Sequence, residues 1–263
     1  MKKLVAAILV ASAPLASAKL GLNIDVSAGG NFPTLASDSN IGDTFNLESD
    51  LGLEGQTGFY VFGSLEHPIP VLPNVRLHHK SQVLSGEKEL TEQVDFLGET
   101  IPASKVQTTL DLSHTDATIF WGIPFLPVVD IEFGLNARVF NLGIEADLPK
   151  ELNDQQVDDI SASQMLPLPM LYLAGDATIP VVGLNLGGEF KTIFIEENNI
   201  TEYNIYGRYY APLPTNLLVK VGVEAGWRQF NMTISDSLLG QDTSDLQSDI
   251  TIGGAYVGLT ARF

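Results

Sequence analysis

The sequence predicts an all-β chain that closes into an antiparallel transmembrane β-barrel of about ten strands. Three observations carry that reading. First, the last nine residues alternate Ala255, Val257, Leu259, Ala261 and Phe263 with Tyr256, Gly258, Thr260 and Arg262. Such period-two alternation gives a strand one apolar face and one small or polar face. Second, past the N-terminal run no stretch of about 20 apolar residues exists to form a spanning helix. A closed barrel is the other fold that satisfies its backbone hydrogen bonds in hydrocarbon. Third, the connections between candidate strands alternate between short proline-bearing turns and mostly long acidic loops, the pattern of outer-membrane barrels.

The first strand sets Leu20, Leu22, Ile24, Val26 and Ala28 against Gly21, Asn23, Asp25 and Ser27. The second, about residues 57–66, turns Phe59, Val61 and Leu65 outward and Ser64 and Glu66 inward. In the third, residues 75–83, Val75, Leu77 and Val83 oppose Arg76, His78 and Lys80. The fourth covers about residues 106–121, and its alternation slips near His114, which predicts a bulge there. The fifth sets Val129, Ile131, Phe133, Leu135, Ala137 and Val139 against Asp130, Glu132, Asn136 and Arg138.

The second half repeats the scheme. Residues 170–179 offer Leu171, Leu173, Ala177 and Ile179 outward, and residues 184–195 place Phe190 and Phe194 opposite Glu189 and Lys191. Residues 200–211 set Tyr203, Ile205 and Tyr209 against Glu202, Asn204 and Arg208. Residues 217–230 set Val219, Val221, Val223, Ala225 and Trp227 against Lys220, Glu224 and Arg228. Residues 251–263 complete ten. Each segment approaches the roughly 9–11 residues that a tilted strand needs to cross a bilayer. Trp121, Tyr209, Trp227 and Phe263 fall at strand ends, where aromatic girdles form.

The short turns hold Pro68, Pro70 and Pro73; Pro124 and Pro127; Pro180; and Pro212 and Pro214. The loops run over about residues 31–56, 84–105, 146–169, 196–199 and 231–250. The second has room for an extra hairpin, which makes twelve strands the alternative count.

Lys2 and Lys3 precede an apolar run from Leu4 to Leu15, followed by Ala16-Ser17-Ala18. Residues 1–18 therefore read as a secretory signal peptide and residues 19–263 as one outer-membrane barrel domain. The run contains Pro14 and is too short for a membrane anchor. The chain has no cysteine, so no disulfide framework holds it.

Charge placement tests the assignment from inside. Eight of the 14 basic residues fall at inward positions: Arg76, Lys80, Arg138, Lys191, Arg208, Lys220, Arg228 and Arg262. Asp25, Glu66, Asp130, Glu132, Glu189, Glu202 and Glu224 accompany them. A basic side chain facing lipid at the midplane costs about 2–4 kcal/mol. A ten-stranded barrel is too narrow for a porin-like channel, so these charges are expected to pair across the lumen as an ionic network.

The formal net charge of −18 resides in the loops. Asp38, Asp43, Glu48, Asp50 and Glu54 fall in the first; Glu87, Glu89, Glu92, Asp95 and Glu99 in the second; Asp147, Glu151, Asp154, Asp158 and Asp159 in the third. Such runs are chiefly solvated faces. A sharper reading is divalent cations bridging the loops to lipopolysaccharide, although no spacing matches a defined calcium loop. An acidic surface excludes nucleic acid.

The catalytic signals are sparse. Adjacent His78 and His79 point to opposite faces and share no metal, and His67 lies in a proline-rich turn. Ser113, His114 and Asp116 form the most suggestive cluster, but Ser113 is on the wrong face and no nucleophile elbow is present. No catalytic residue, cofactor or metal site is assigned. Inward Tyr206, Tyr210 and Tyr256 offer a small cavity for an apolar ligand, or simple packing.

The segments Asp50-Leu51-Gly52-Leu53, Ser64-Leu65-Glu66-His67-Pro68-Ile69-Pro70, Leu72-Pro73-Asn74-Val75-Arg76 and His114-Thr115-Asp116-Ala117-Thr118 resemble a family of small proteobacterial outer-membrane β-barrel proteins of unassigned function. The resemblance covers essentially the whole mature chain and is most specific at Glu-His-Pro-Ile-Pro. It implies an outer-membrane location and supplies no activity. The terminal Val257, Leu259 and Phe263 resemble the signal read by the barrel assembly machinery. The chain is similar to omptin proteases in strand count alone, and their active-site residues find no match here. The expectation is a monomeric, non-enzymatic barrel in the outer membrane, in contact with lipid and lipopolysaccharide. Its role is structural or interactive at the surface, with small-solute or lipid handling as the alternative.

Overall fold

The computed structural model describes residues 21–41, 45–91, 93–96, 99–101, 103–126, 128–147, 160–179, 181–195, 198–213, 218–234 and 248–263. The signal-peptide reading and the middles of the third and fifth loops lie outside these residues. In chain order the strands are β1 (Asn23–Leu35), β2 (Asn40–Ile41), β3 (Phe45–Asn46), β4 (Glu54–Gly55), β5 (Gly58–Glu66) and β6 (Asn74–Lys80). They continue with β7 (Val83–Glu89), β8 (Val94–Phe96), β9 (Glu99–Ile101), β10 (Lys105–Asp111), β11 (His114–Leu126) and β12 (Val129–Asp147). The remainder are β13 (Ile160–Ile179), β14 (Leu184–Ile195), β15 (Asn198–Tyr210), β16 (Lys220–Ile234) and β17 (Ser248–Arg262).

Ten of these close a ring. β1 pairs with β5, β5 with β6, β6 with β11, and β11 with β12. β12 through β17 then follow as sequential antiparallel neighbours. β17 meets β1 from Asp25↔Arg262 to Leu35↔Ile252. Every strand of the ring pairs with two neighbours, so the sheet has no terminal strand to leave unpaired in hydrocarbon; the extension of β13 over residues 160–170 pairs on one side alone, with β12.

The wall is inverted relative to a water-soluble fold. On β5, Phe59, Val61 and Leu65 are exposed while Tyr60, Phe62 and Ser64 are buried. On β12, Ile131, Phe133 and Leu135 face out, and Glu132, Asn136 and Arg138 face in. Leu171, Leu173, Leu186, Ile205, Val223, Val257 and Leu259 continue the outer belt around the ring. A contiguous apolar band of that extent is foreign to a water-exposed monomer and matches the lipid-facing band of a transmembrane barrel.

Two strands break and continue as a second storey. β7 extends β6 beyond residues 81–82, and β10 leads into β11 across residues 112–113. β12 pairs with β11 up to Phe140 and with β10 from Gly143 onward. Ser113 holds this step together: its Oγ accepts from the Gln82 amide at 3.0 Å, and its carbonyl accepts from the Asn141 amide at 2.9 Å. The alternation around His114 keeps its phase, since Val106, Thr108, Leu110, Leu112, His114 and Asp116 are all buried. What is lost there is strand pairing. A register shift does occur on β11, between Ile123 and Leu126. The second loop thus holds most of β7 and the small β8–β9 pair, and β7 pairs with β10, formed by residues that the sequence reading gave to the start of the fourth strand; the ring itself remains ten-stranded.

The first loop is more than an acidic surface. β2 pairs with the start of β17, and β4 pairs with β7. Between them Asn46 Oδ1 accepts from the amides of Glu48 (3.1 Å) and Ser49 (2.7 Å), while Asp50 Oδ2 accepts from the Asn46 amide at 2.9 Å. This tight turn ends at Gly52, whose φ of +67 is left-handed and lies against the Glu87 carbonyl, a position that favours glycine. The turn sends Glu48 and Asp50 outward and drives Leu47 and Leu53 to full burial. With Leu51 they pack into one apolar cluster with Leu84, Leu110, Phe140, Ile144, Phe230, Met232 and Ile252. The loop end of the barrel is therefore stoppered by hydrocarbon.

Candidate functional site

Below that stopper the lumen is ionic. β11 and β12 bring Asp116 opposite Arg138. Arg138 donates through Nε to Asp116 Oδ1 at 2.7 Å and through Nη2 to Oδ2 at 2.8 Å, the bidentate fork for which guanidinium is suited. Lys191 Nζ on β14 reaches Asp116 Oδ2 at 2.7 Å, and Asn136 Nδ2 donates to Oδ1 at 3.2 Å. Arg138 Nη1 also meets Glu202 Oε2 on β15 at 3.0 Å, and Arg228 Nε stands 3.6 Å from Glu202 Oε1.

A second group centres on Arg76. Its Nη1 lies 3.0 Å from Glu132 Oε2 and 3.4 Å from Glu189 Oε1. Tyr172 joins the guanidinium to the carboxylate: it accepts from Arg76 and donates to Glu132 Oε2 at 2.6 Å. Phe120 covers the guanidinium face at 4.5 Å, a cation–π contact. Lys191 Nζ, 3.9 Å from Glu189 Oε2, ties this group to the first. Arg76, Arg138, Lys191 and Arg228 thereby balance Asp116, Glu132, Glu189 and Glu202. Removing either sign would leave uncompensated charge in a low-dielectric interior.

Toward the turn end, Arg208 Nε reaches Glu224 Oε2 at 2.6 Å, and Tyr60 Oη donates to Glu224 Oε1 at 2.7 Å. At the rim, Arg262 Nε meets Asp25 Oδ1 at 2.6 Å. Cross-strand glycines make room for three of the inward tyrosines. Tyr60 lies over Gly29 and Gly258, Tyr256 over Gly226, and Tyr206 over Gly187, each so close that an added Cβ would collide with the ring. Tyr256 Oη also donates to Asn204 Oδ1 at 2.9 Å. Tyr206 and Tyr256 are thus packed on backbone, whereas Tyr210 borders an open cavity at the turn end.

Not every charge assigned inward takes part. Asp130 and Lys220 sit exposed at the rim, because the first residues of β12 and β16 lie beyond the enclosed lumen. Glu66, at the last position of β5, and Lys80, buried on β6, make no ion pair among the described residues. Val257 and Leu259 belong to the outer belt, and Phe263 exchanges backbone hydrogen bonds with Ile24. The sequence reading weighed Asp116 only as a catalytic partner, placed Asn136 inward without a role in the network, and left out Tyr60 and Tyr172. Asp116 shares its strand parity with Thr118 and Phe120, so position alone marked it as inward.

The groups weighed for catalysis here are drawn into structural contacts, apart from His114 Nε2, which has no hydrogen-bond partner among the described residues and stands 3.7 Å from Glu202 Oε2. Ser113 Oγ is engaged by the Gln82 amide, and His114 Nδ1 lies 3.0 Å from the Leu112 carbonyl. Both oxygens of Asp116 are held by Arg138 and Lys191. His114, Asp116 and Glu202 present potential ligand atoms within 4.8 Å of one another, but a metal ion there would sit beside Arg138, Lys191 and Arg228. This is the hub of an ion-pair network.

No family model and no curated protein matches the chain. Among solved structures it is similar to the attachment invasion locus protein Ail of Yersinia pestis, at 10% identity, covering 92% of this chain and 99% of that one with a TM-score of 0.34. It is also similar to the transport unit of the autotransporter AIDA-I from Escherichia coli, at 11% identity, 92% and 89% coverage and a TM-score of 0.40. Neisserial surface protein A aligns at 12% identity, 92% and 97% coverage and a TM-score of 0.31. The barrel assignment stands on the chain's own strand pairing.

Proposed function

We propose that this protein is a sealed, non-conducting barrel of the bacterial outer membrane, whose role is structural or interactive at the cell surface and not enzymatic. One observation carries the reading: the lumen is obstructed twice, by the ion network around fully buried Arg138 and by the leucine stopper above it. The apolar belt supports a bilayer location, and the short turns at one end with long loops at the other support loops facing outward. A sealed interior leaves the loops and outer wall as working surfaces. The acidic loops are suited to cation-mediated contact with lipopolysaccharide phosphates.

Planar-bilayer recording tests the reading. The intact protein is expected to give no stable channel, and a large steady conductance would overturn the proposal.

A further inference from the structure

The four turns at the proline-bearing end of the barrel differ from turns that face water. They join β5 to β6, β11 to β12, β13 to β14 and β15 to β16. Residues 67–73, 127–128, 180–183 and 211–219, which form these connections, include no Asp, Glu, Lys or Arg. They present aliphatic side chains instead: Ile69, Val71, Val128, Val181, Leu213 and Leu218 are all exposed, Val181 at 95% and Val71 at 83%. The charges of this rim, Asp25, Glu66, Asp130, Asp176, Lys220 and Arg262, lie on the strands at positions of inward parity. They keep to the lumen side of the wall.

The turn backbone is also arranged to do without water. In residues 67–73, Pro68, Pro70 and Pro73 have no amide hydrogen to leave unpaired. The His67 amide donates to Asn74 Oδ1 at 3.0 Å, the Ile69 amide to His67 Nδ1 at 3.2 Å, and the Leu72 amide to the Ile69 carbonyl at 3.3 Å. His67 Nε2 lies 3.1 Å from the Pro73 carbonyl. Of that turn's donors only the Val71 amide is left over among the described residues. The Val71 carbonyl accepts from the Trp121 indole at 3.3 Å, which seats the turn against the outer wall, where Trp121 stacks on Phe133. Val182 and Gly183 donate to the Ile179 carbonyl, and Leu213 to that of Ala211. Donors satisfied within the segment are what hydrocarbon demands and water does not.

Strand length adds a third argument. On β15 the outward row runs from Tyr203 to Tyr209, and on β16 from Val221 to Trp227. Each row covers about 15 Å of depth, at about 3.4 Å per residue and a tilt of about 40°. A barrel's apolar band is about 25 Å tall, so in this sector the strands alone fall short. Leu213 and Leu218 continue the apolar face beyond them.

We infer that the four turns are themselves embedded in the membrane, as an aliphatic rim that sinks past the aromatic girdle among the acyl chains of the adjoining phospholipid leaflet. The inference rests on the transmembrane reading above, which makes that leaflet the periplasmic one. Continuity with the lipid-facing belt decides for lipid over a protein partner: no charged residue separates Tyr209 from Leu213, and Val71 lies directly against Trp121.

The chain has no cysteine, so a nitroxide on a single introduced cysteine reports one site. Val71→Cys, Val181→Cys and Leu218→Cys are labelled in the full barrel, in vesicles of phosphatidylethanolamine and phosphatidylglycerol. Phe133→Cys in the belt and Glu87→Cys at the loop end serve as references. Power saturation measures collision with oxygen, which concentrates among acyl chains, and with a water-soluble nickel chelate. The turn labels are expected to lose nickel contact and gain oxygen contact as Phe133→Cys does, opposite to Glu87→Cys. All three turn sites are exposed, so the variants should fold, and an unchanged heat-dependent gel shift verifies that each does. Nickel contact at the turns equal to that of Glu87→Cys, with Phe133→Cys still shielded, would overturn the inference and leave the transmembrane reading standing. Nickel contact at Phe133→Cys would remove both. Turn labels that are wet in vesicles but shielded in native outer-membrane fragments would give the rim to another partner and overturn the lipid assignment.

Discussion

At the scale of single residues, the lumen is a set of satisfied charges whose replacement costs depend on depth. Asp116 accepts from Arg138, Lys191 and Asn136 with no solvent access. Asp116→Asn keeps the volume but strands two cations, and is expected to cost about 3–5 kcal/mol, measured by urea unfolding in micelles. Lys105→Ala breaks a pair of 2.8 Å whose partners are more than half exposed, and the same measurement should register under about 1 kcal/mol. Glycines give a second contrast. Gly258→Ala would force a methyl into the Tyr60 hydroxyl and the Ala28 backbone, whereas the Cβ of Gly63→Ala meets nothing within 4 Å. The first should lose the compact, heat-modifiable form on gels and the second should keep it. Strand parity alone made most of the charged positions legible. It left the pairing undetermined, because which rows of the cylinder face each other depends on the stagger between strands, a quantity absent from period-two alternation. Hence Arg138 could be placed inside without Glu202, three strands away around the ring, being named as its partner.

Strands and loops show a different kind of shortfall. The belt-crossing segments were readable because lipid enforces alternation over about ten residues. Beyond the belt that constraint lapses, and β13 runs ten residues further toward its N-terminus than the sequence reading allowed. The first loop was hidden by its own composition. Leu47, Leu51 and Leu53 are dispersed among Glu48, Asp50 and Glu54, so acidity dominates any window average while the Asn46 turn sorts the two classes by direction. Leu53→Ala, in a fully buried site, is expected to cost about 2–5 kcal/mol locally. Hydrogen exchange should show it as faster exchange at the Leu47 and Leu53 amides, which bond to the carbonyls of Ser39 and Leu47, with the β14–β15 amides unchanged.

For the whole molecule, the governing fact is that its oily surface is outside and its charges are within. Leu135 projects from the outer wall of β12, flanked in register by Ile119 and Leu171. Leu135→Arg is expected to destabilise the inserted barrel by about 2–4 kcal/mol, read from unfolding in phosphatidylcholine vesicles. The β1–β17 pairing has a further consequence. Ring closure joins the first strand to the last, across a seam where Gly29 meets Gly258. Closure therefore waits for the last strand: until β17 docks on β1, two unpaired margins stay open to edge-to-edge joining with another copy.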